Sequence, residues 1–328
     1  MRLSWRLPMA AWWIDAGLVL AGIALLAVGG EALIRGALAV AGRLGVSPLL
    51  SGLVIVGFGT SMPELTVSLD AARFGHADIA IGNVVGSNIG NVLLILGLCA
   101  LISPLTVSPA ALRRDAVVMV GASGLFLLLA IGGFERWDGA ILLALLVAYL
   151  VWTYRADKAH RGPAAATHQG ASELPAVPRS KPWIAGALIL GLALLIGGAK
   201  LLIEGARGLA EGLGASEALI GLTVVAVGTS MPELTVSVLA AIRRQGDVAI
   251  GNVLGSNIFN LLGILGLAVL VRPLEVPARI LAVDQWVLLG TAVLALLFLA
   301  TQRRVARWEG AVLVAAYGAY VAIGFAQM

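Results

Sequence analysis

Two copies of one ten-residue stretch carry the groups in this chain that could do chemistry. GTSMPELTVS runs from Gly59 to Ser68 and returns unchanged from Gly228 to Ser237. Each copy sets one carboxylate (Glu64, Glu233), one proline (Pro63, Pro232) and several hydroxyls inside an apolar run. Proline has no N–H, so the carbonyl of Gly59, or of Gly228, loses its helical donor. Each copy therefore offers freed backbone oxygen, hydroxyls and a carboxylate at a helix break. An ionisable group in such a run costs about 2.5 kcal/mol or more and marks a functional site by default. Hard cations take oxygen ligands of this kind.

A second stretch repeats with the first. GNVVGSNIGN at 82–91 returns as GNVLGSNIFN at 251–260. Asn83, Ser87 and Asn91 are four apart and share one helical face, as do Asn252, Ser256 and Asn260. Such stripes can simply hydrogen-bond between membrane helices, at about 1 kcal/mol per contact. Their duplication alongside a duplicated carboxylate favours a ligand role. The inventory is then two carboxylates (Glu64, Glu233), neutral oxygens from Ser87, Asn91, Ser256 and Asn260, and hydroxyl or carbonyl oxygen from Thr60, Ser61, Thr229 and Ser230. This exceeds the roughly 6–8 oxygens a calcium ion takes. Magnesium, which keeps its waters and demands an octahedron, fits less well. The motifs hold no Cys or His for softer metals. They also hold no Arg or Lys, which argues against a purely structural buried ion pair. Two carboxylates balance one divalent cation or two monovalent ones, which suits exchange. Gly82 and Gly86, with Gly251 and Gly255, are expected to let these helices approach a neighbour closely. That approach would bring Ser87 and Asn91 to Glu64, and Ser256 and Asn260 to Glu233.

The elements that position these groups must lie in lipid. Of 328 residues, 60% are hydrophobic and 12% charged, against about 25% charged in soluble domains. Apolar runs long enough to span a bilayer recur along the chain. The composition argues against a soluble enzyme or a nucleic-acid binder. Cys99 stands alone, so neither a disulfide nor a zinc cluster is expected. Spans are expected at about 12–35, 48–72, 79–102, 114–133 and 137–154. A linker rich in Ala, Pro, Ser and charge follows at 156–181. Further spans are expected at about 182–205, 217–242, 248–271, 280–299 and 308–325. Glu64 and Glu233 are 169 residues apart, and the same offset maps Gly52 to Gly221, Asp78 to Asp247, Asn91 to Asn260 and Pro104 to Pro273 without a gap. Residues 1–155 and 182–328 are thus two copies of one five-helix unit. An odd number of spans makes the second copy enter from the opposite side, giving inverted repeats with binding at the broken helices near the midplane. Alternate loops carry 13 Arg and Lys against 7 on the other side, which places the linker in the cytoplasm and both termini outside. Glu31 with Arg35, and Lys200 with Glu204, read as helix-end ion pairs four residues apart. Asp70, whose repeat partner is Leu239, is expected to face water. Trp12, Trp13, Trp137, Trp152, Trp183, Trp286 and Trp308 fall near span ends, as an interfacial belt requires.

The paired motifs resemble the two alpha-repeats of the calcium/cation antiporter superfamily, and within it prokaryotic sodium/calcium exchangers. The similarity covers essentially the whole chain. It implies an all-α polytopic membrane protein of ten transmembrane helices, in two inverted five-helix repeats with helices 2 and 7 broken. It also implies secondary active antiport of Na+ for Ca2+ by alternating access. The family's ion ligands fall here on Glu64, Glu233, Thr60, Ser61, Thr229, Ser230, Ser87, Asn91, Ser256 and Asn260. Some members have Asp where this chain has Asn260, so this site holds two formal charges rather than three. The substrates are Ca2+ and Na+, with no cofactor and no nucleic-acid partner expected. A proton- or potassium-linked cation antiporter with the same ligands is the alternative, and a cation channel is a reading from another class. No nucleophile–base pair suggests an enzyme. The Ala/Gly/Leu/Arg-rich composition points to a bacterial inner (plasma) membrane.

Overall fold

In lipid every backbone N–H and C=O must be satisfied within the segment, which favours helix throughout. The computed structural model describes residues 9–159, 180–213 and 226–326, and these are almost entirely helical. In order they are α1 (Met9–Leu44), α2 (Pro48–Thr60), α3 (Met62–Phe74), α4 (Ala77–Ile102), α5 (111–130), α6 (Arg136–Ala159), α7 (Lys181–Gly212), α8 (Ala226–Thr229), α9 (Met231–Ile242), α10 (Gly246–Val271), α11 (Ile280–Ala300) and α12 (Arg307–Ala326). Among the described residues six helices are long and apolar enough to cross a membrane, and the bent pair α2–α3 makes a seventh. Most of the expected linker (160–179) and the first part of the seventh expected span (217–225) lie outside the described residues. Helices stand at the other expected spans, with α1 and α7 extending beyond the expected ends. Large apolar side chains such as Leu20, Leu128, Ile131 and Ile189 face outward, as lipid contact allows. Trp12, Trp13, Trp137, Trp152, Trp286 and Trp308 are exposed near helix ends.

The breaks fall at the motif serines. Ser61 (φ −80°, ψ 10°) and Ser230 (φ −86°, ψ 9°) leave the helix in the same way. Pro63 and Pro232 follow at the start of the next helix, where a missing N–H costs nothing. The first pair bends by 46°. Widened π turns interrupt α4 at Asn91–Leu96 and α10 at Phe259–Ile264. Such turns leave backbone out of register and are frequent at functional sites.

Glycine spacing sets the packing. Gly22 and Gly29 of α1 lie against Gly198 and Gly191 of α7. A Cβ added at Gly22 would meet the Gly198 carbonyl oxygen at 2.7 Å, and one at Gly29 the Gly191 carbonyl at 2.8 Å. The contacts pair ascending with descending numbers, so the two helices run antiparallel. Every-seventh glycines (22, 29, 36; 191, 198, 205) keep one seam small along both helices. Gly52 and Gly57 of α2 and Gly251 of α10 bring those helices into backbone contact. A Cβ on Gly52 would lie 2.8 Å from the Val248 carbonyl oxygen, and one on Gly251 2.6 Å from that of Leu49. Among the described residues nothing lies within 4 Å of a Cβ added at Gly82 or Gly86, and both line a cavity; residues 217–225, which the offset maps onto the part of α2 that covers Gly251, lie outside the described residues.

Two short links tie the halves together. Strand β1 (Leu105–Thr106), after α4, pairs antiparallel with β2 (Arg304–Val305), before α12. The corresponding loop of the second half returns the contact, with Phe134 and Leu274 exchanging both backbone hydrogen bonds at 2.9 and 3.0 Å. Glu31 pairs with Arg35 as expected and also reaches Arg243 at the end of α9, at 2.5 Å. No ion pair joins Lys200 and Glu204 in the described structure, and Asp70 is exposed.

The glycine asymmetry is testable by thermal melting in detergent. Gly251→Val should cost about 1–3 kcal/mol as an overpacked backbone contact. Gly86→Ala should be neutral or gain up to about 1 kcal/mol of helix propensity. Equal losses at both positions would contradict the packing described.

Candidate functional site

The two carboxylates are held by each other's motif. Ser61 Oγ donates to Glu233 Oε1 at 2.9 Å, and Ser230 Oγ donates to Glu64 Oε1 at 3.1 Å. The 169-residue offset maps one bond onto the other. Thr60 lies beside Glu233, and Thr229 beside Glu64. The helix breaks make this possible: they turn the hydroxyls out of the helical ladder and toward the opposite repeat. Glu64 and Glu233 are 1% and 2% exposed. The second oxygen of each, Oε2, is buried and accepts no hydrogen bond. Neither glutamate takes part in an ion pair among the described residues.

The polar stripes do two jobs. Asn83 Nδ2 donates to the Glu64 carbonyl (3.1 Å) and to Ser68 Oγ (2.9 Å), which locks α3 to α4. Asn252 does the same for α9 and α10, donating to the Glu233 carbonyl (3.2 Å) and to Ser237 Oγ (2.8 Å). Its Oδ1 also accepts from Thr60 Oγ1 at 3.2 Å. Deeper along each stripe the residues are buried. Ser256 Oγ donates to the Gly57 carbonyl at 3.1 Å and keeps its lone pairs free. Asn91 Oδ1 and both amide atoms of Asn260 are buried without partners. Ser87 and Ser230 line a cavity of about 690 Å³, whose other wall includes Asp78, Asp284, Tyr317 and Tyr320.

The structure thus joins Ser61 to Glu233, Ser230 to Glu64, and Ser256 to the backbone of α2. These links run across the repeats, while Asn83 and Asn252 reach the glutamate carbonyls within each one. Asn91 and Asn260 sit at the start of the π turns, and Ser87 faces the cavity. Among the described residues no three His, Cys, Asp or Glu side chains gather as a metal cluster. Any ligand set here is two carboxylates with hydroxyls, amides and carbonyls, chemistry that accepts a hard cation.

Several buried polar neighbours of the site are not marked by the motifs. Asn88 and Asn257 directly follow the motif serines and are 98% or more buried. Asp115 and Asp284 are also buried and related by the offset. Asp115 accepts from Nε and Nη2 of Arg114 (2.6 and 3.0 Å) and from the Tyr149 hydroxyl (2.8 Å). Asp284 takes Arg279 (3.3 Å) and the Tyr320 hydroxyl (3.1 Å). Applying the offset to every polar residue in an apolar run would have found all four.

Broken apolar helices around a shared carboxylate–hydroxyl centre define an integral membrane protein of the exchanger kind. The sodium/calcium exchanger protein family matches residues 14–155 and 183–326, and the chain belongs to that family, whose members are transporters rather than enzymes. It is 38% identical over 312 residues to the putative antiporter CaxA of Alkalimonas amylolytica, covering 92% of this chain and 96% of that one. It is 33% identical over 341 residues to the sodium/calcium exchanger MaX1 of Methanosarcina acetivorans, covering 94% and 97%. The solved structure of the sodium-calcium exchanger NCX_Mj, soaked with zero Na+ and Ca2+, superposes with a TM-score of 0.81 at 34% identity, covering 94% of this chain and 98% of that one.

The tie between the repeats through Asn252 predicts a cost. Asn252→Leu removes three hydrogen bonds: to the Glu233 carbonyl, which keeps its place in the α9 ladder, to the Thr60 hydroxyl, which keeps the Gly57 carbonyl at 3.4 Å, and to the Ser237 hydroxyl, at about 0.5–1.5 kcal/mol per bond. Thermal melting should show a loss well beyond that of Gly86→Ala. An unchanged melting temperature would contradict the bonding described.

Proposed function

We propose that this protein is a secondary active antiporter exchanging Na+ for Ca2+ across a bacterial inner (plasma) membrane. One observation carries the reading: two carboxylates that pair with no basic side chain among the described residues lie together, each with one oxygen tied to the opposite repeat and one without a hydrogen bond. A divalent cation between them would balance their charge, and two sodium ions would do so equally. The ligands would be Glu64 and Glu233 with Thr60, Ser61, Ser87, Asn91, Thr229, Ser230, Ser256 and Asn260. The family membership, and the names of MaX1 and NCX_Mj, support calcium and sodium as the substrates.

The architecture in this reading is ten spans in two inverted five-helix repeats, with the linker cytoplasmic and both termini outside. The antiparallel run of α1 and α7, which the offset maps onto each other, supports the inversion. The cavity opens beside the start of α4, the start of α11 and the end of α12, which in this topology is the outer face. Alternating access would follow from α1 and α7, joined by their glycine seam, sliding as a pair past the remaining helices.

Calcium uptake into proteoliposomes loaded with sodium tests the reading, with potassium-loaded, choline-loaded and pH-gradient controls. Uptake should require internal sodium. Glu64→Gln and Glu233→Gln should each reduce it to background while the protein still folds. Uptake by either variant at the wild-type rate would sink the site assignment, and uptake driven by a pH gradient alone would move the coupling ion to protons. A protonated carboxyl is a poor cation ligand, so exchange should also fall as the pH is lowered, and added calcium should restore part of it.

A further inference from the structure

Asn91 and Asn260 are amides, and an amide is a cation ligand only when its oxygen faces the ion. Flipped, it presents N–H₂ and repels it. Something must therefore set which way each amide points. For Asn91 the structure contains a complete chain of constraint. Asn257 Nδ2 lies 3.3 Å from Met119 Sδ. A thioether sulfur only accepts, so the Asn257 nitrogen must face it and the Asn257 oxygen must face the other way. That oxygen accepts from Asn91 Nδ2 at 3.1 Å. Asn91 is thereby committed as donor on one side, and its Oδ1 is left buried and unpartnered.

The 169-residue offset maps Asn91 to Asn260, and Asn88 to Asn257. The counterpart of the Asn91–Asn257 bond is therefore a bond from Asn260 to Asn88. Half of its constraint is already present. Asn88 Nδ2 donates to the Val84 carbonyl at 2.6 Å, which fixes the Asn88 oxygen as the free end. Among the described residues that oxygen is buried with no donor, and both Asn260 atoms are buried with no partner. An acceptor without a donor and an amide without partners thus occupy the two ends of a bond whose twin is formed.

We propose that Asn257 and Asn88 are positioning residues for the ion site. Each accepts the amide hydrogen of a ligand asparagine in the opposite repeat and turns that ligand's oxygen toward the cation. Asn257 already holds Asn91, and the Asn88–Asn260 bond forms when the cation engages Asn260. Only an amide ligand needs this help, because the two oxygens of a carboxylate are equivalent. Asn260 therefore depends on Asn88 in a way that an aspartate at the same position would not.

The inference rests on the exchange reading, and a double-mutant cycle tests it. The KM for calcium is measured in sodium-loaded proteoliposomes for wild-type, Asn88→Leu, Asn260→Asp and the double variant, and likewise for Asn257→Leu with Asn91→Asp. Asn88→Leu and Asn257→Leu should each raise KM about tenfold with a smaller change in kcat, since a ligand oxygen is lost rather than a step of the cycle. In the aspartate backgrounds the same leucine substitutions should change KM less than about twofold. A role confined to packing gives equal penalties in both backgrounds and overturns the proposal. Melting temperatures identify any variant that fails to fold, and Asn88→Ala and Asn257→Ala then replace leucine in the cycle. Absence of exchange in wild-type overturns the antiport reading itself, whereas normal wild-type exchange with equal penalties overturns only the positioning role.

Discussion

Two buried carboxylates meet without a basic partner among the described residues, and the rest of the structure answers that constraint. Burying one unpaired charge is costly, and burying two of the same sign adds repulsion. The chain offsets part of this with hydroxyl donors, Ser61 for Glu233 and Ser230 for Glu64, each supplied by the other repeat. It leaves one oxygen of each carboxylate unmet. A site left short of positive charge is one that a cation completes. The helix breaks, the prolines and the polar stripes all follow from it, because an intact helix would keep these hydroxyls and carbonyls inside its own ladder.

Small residues decide which parts are fixed. Gly52, Gly57 and Gly251 press α2 against α10 until their backbones touch, which brings the Gly57 carbonyl to Ser256. Asn83 and Asn252 lock the broken helices to the long polar ones. The α1–α7 pair is knit by its own glycines and meets the remainder chiefly along α9, where Glu31 reaches Arg243. The two repeats are alike in sequence but differ in environment. Gly251 is covered by α2, whereas Gly86 borders a cavity. Asp115 is sealed by Arg114 and Tyr149, whereas Asp284 lines the same cavity with a longer bond to Arg279. In the exchange reading, a difference of this kind between the two sides is what an alternating cycle needs at any instant.

Much of this was legible in the chain. The duplicated motif placed the carboxylates, and proline at a fixed distance from glycine placed the breaks. The offset of 169 related the halves without a structure. Less legible was where each polar group points. Helical spacing puts Asn83, Ser87 and Asn91 on one face, but it does not say that Asn83 ties two helices together while Asn91 bonds to Asn257. That depends on the neighbour each residue meets, and the neighbours come from the opposite repeat, some 170 residues away. Asn88 and Asn257 were passed over because they lie off the stripe, although the offset relates them as firmly as it relates the glutamates.

The central claim is that one pair of carboxylates serves both ions, so that they cannot be held together. Equilibrium calcium binding to the purified protein, measured at increasing sodium concentration, tests it most directly. The account predicts that sodium raises the apparent Kd for calcium without a ceiling, and that Glu64→Gln removes the calcium binding on which sodium competes. Calcium binding that is indifferent to sodium, or that persists in Glu64→Gln with unchanged affinity, would contradict a shared site at these carboxylates.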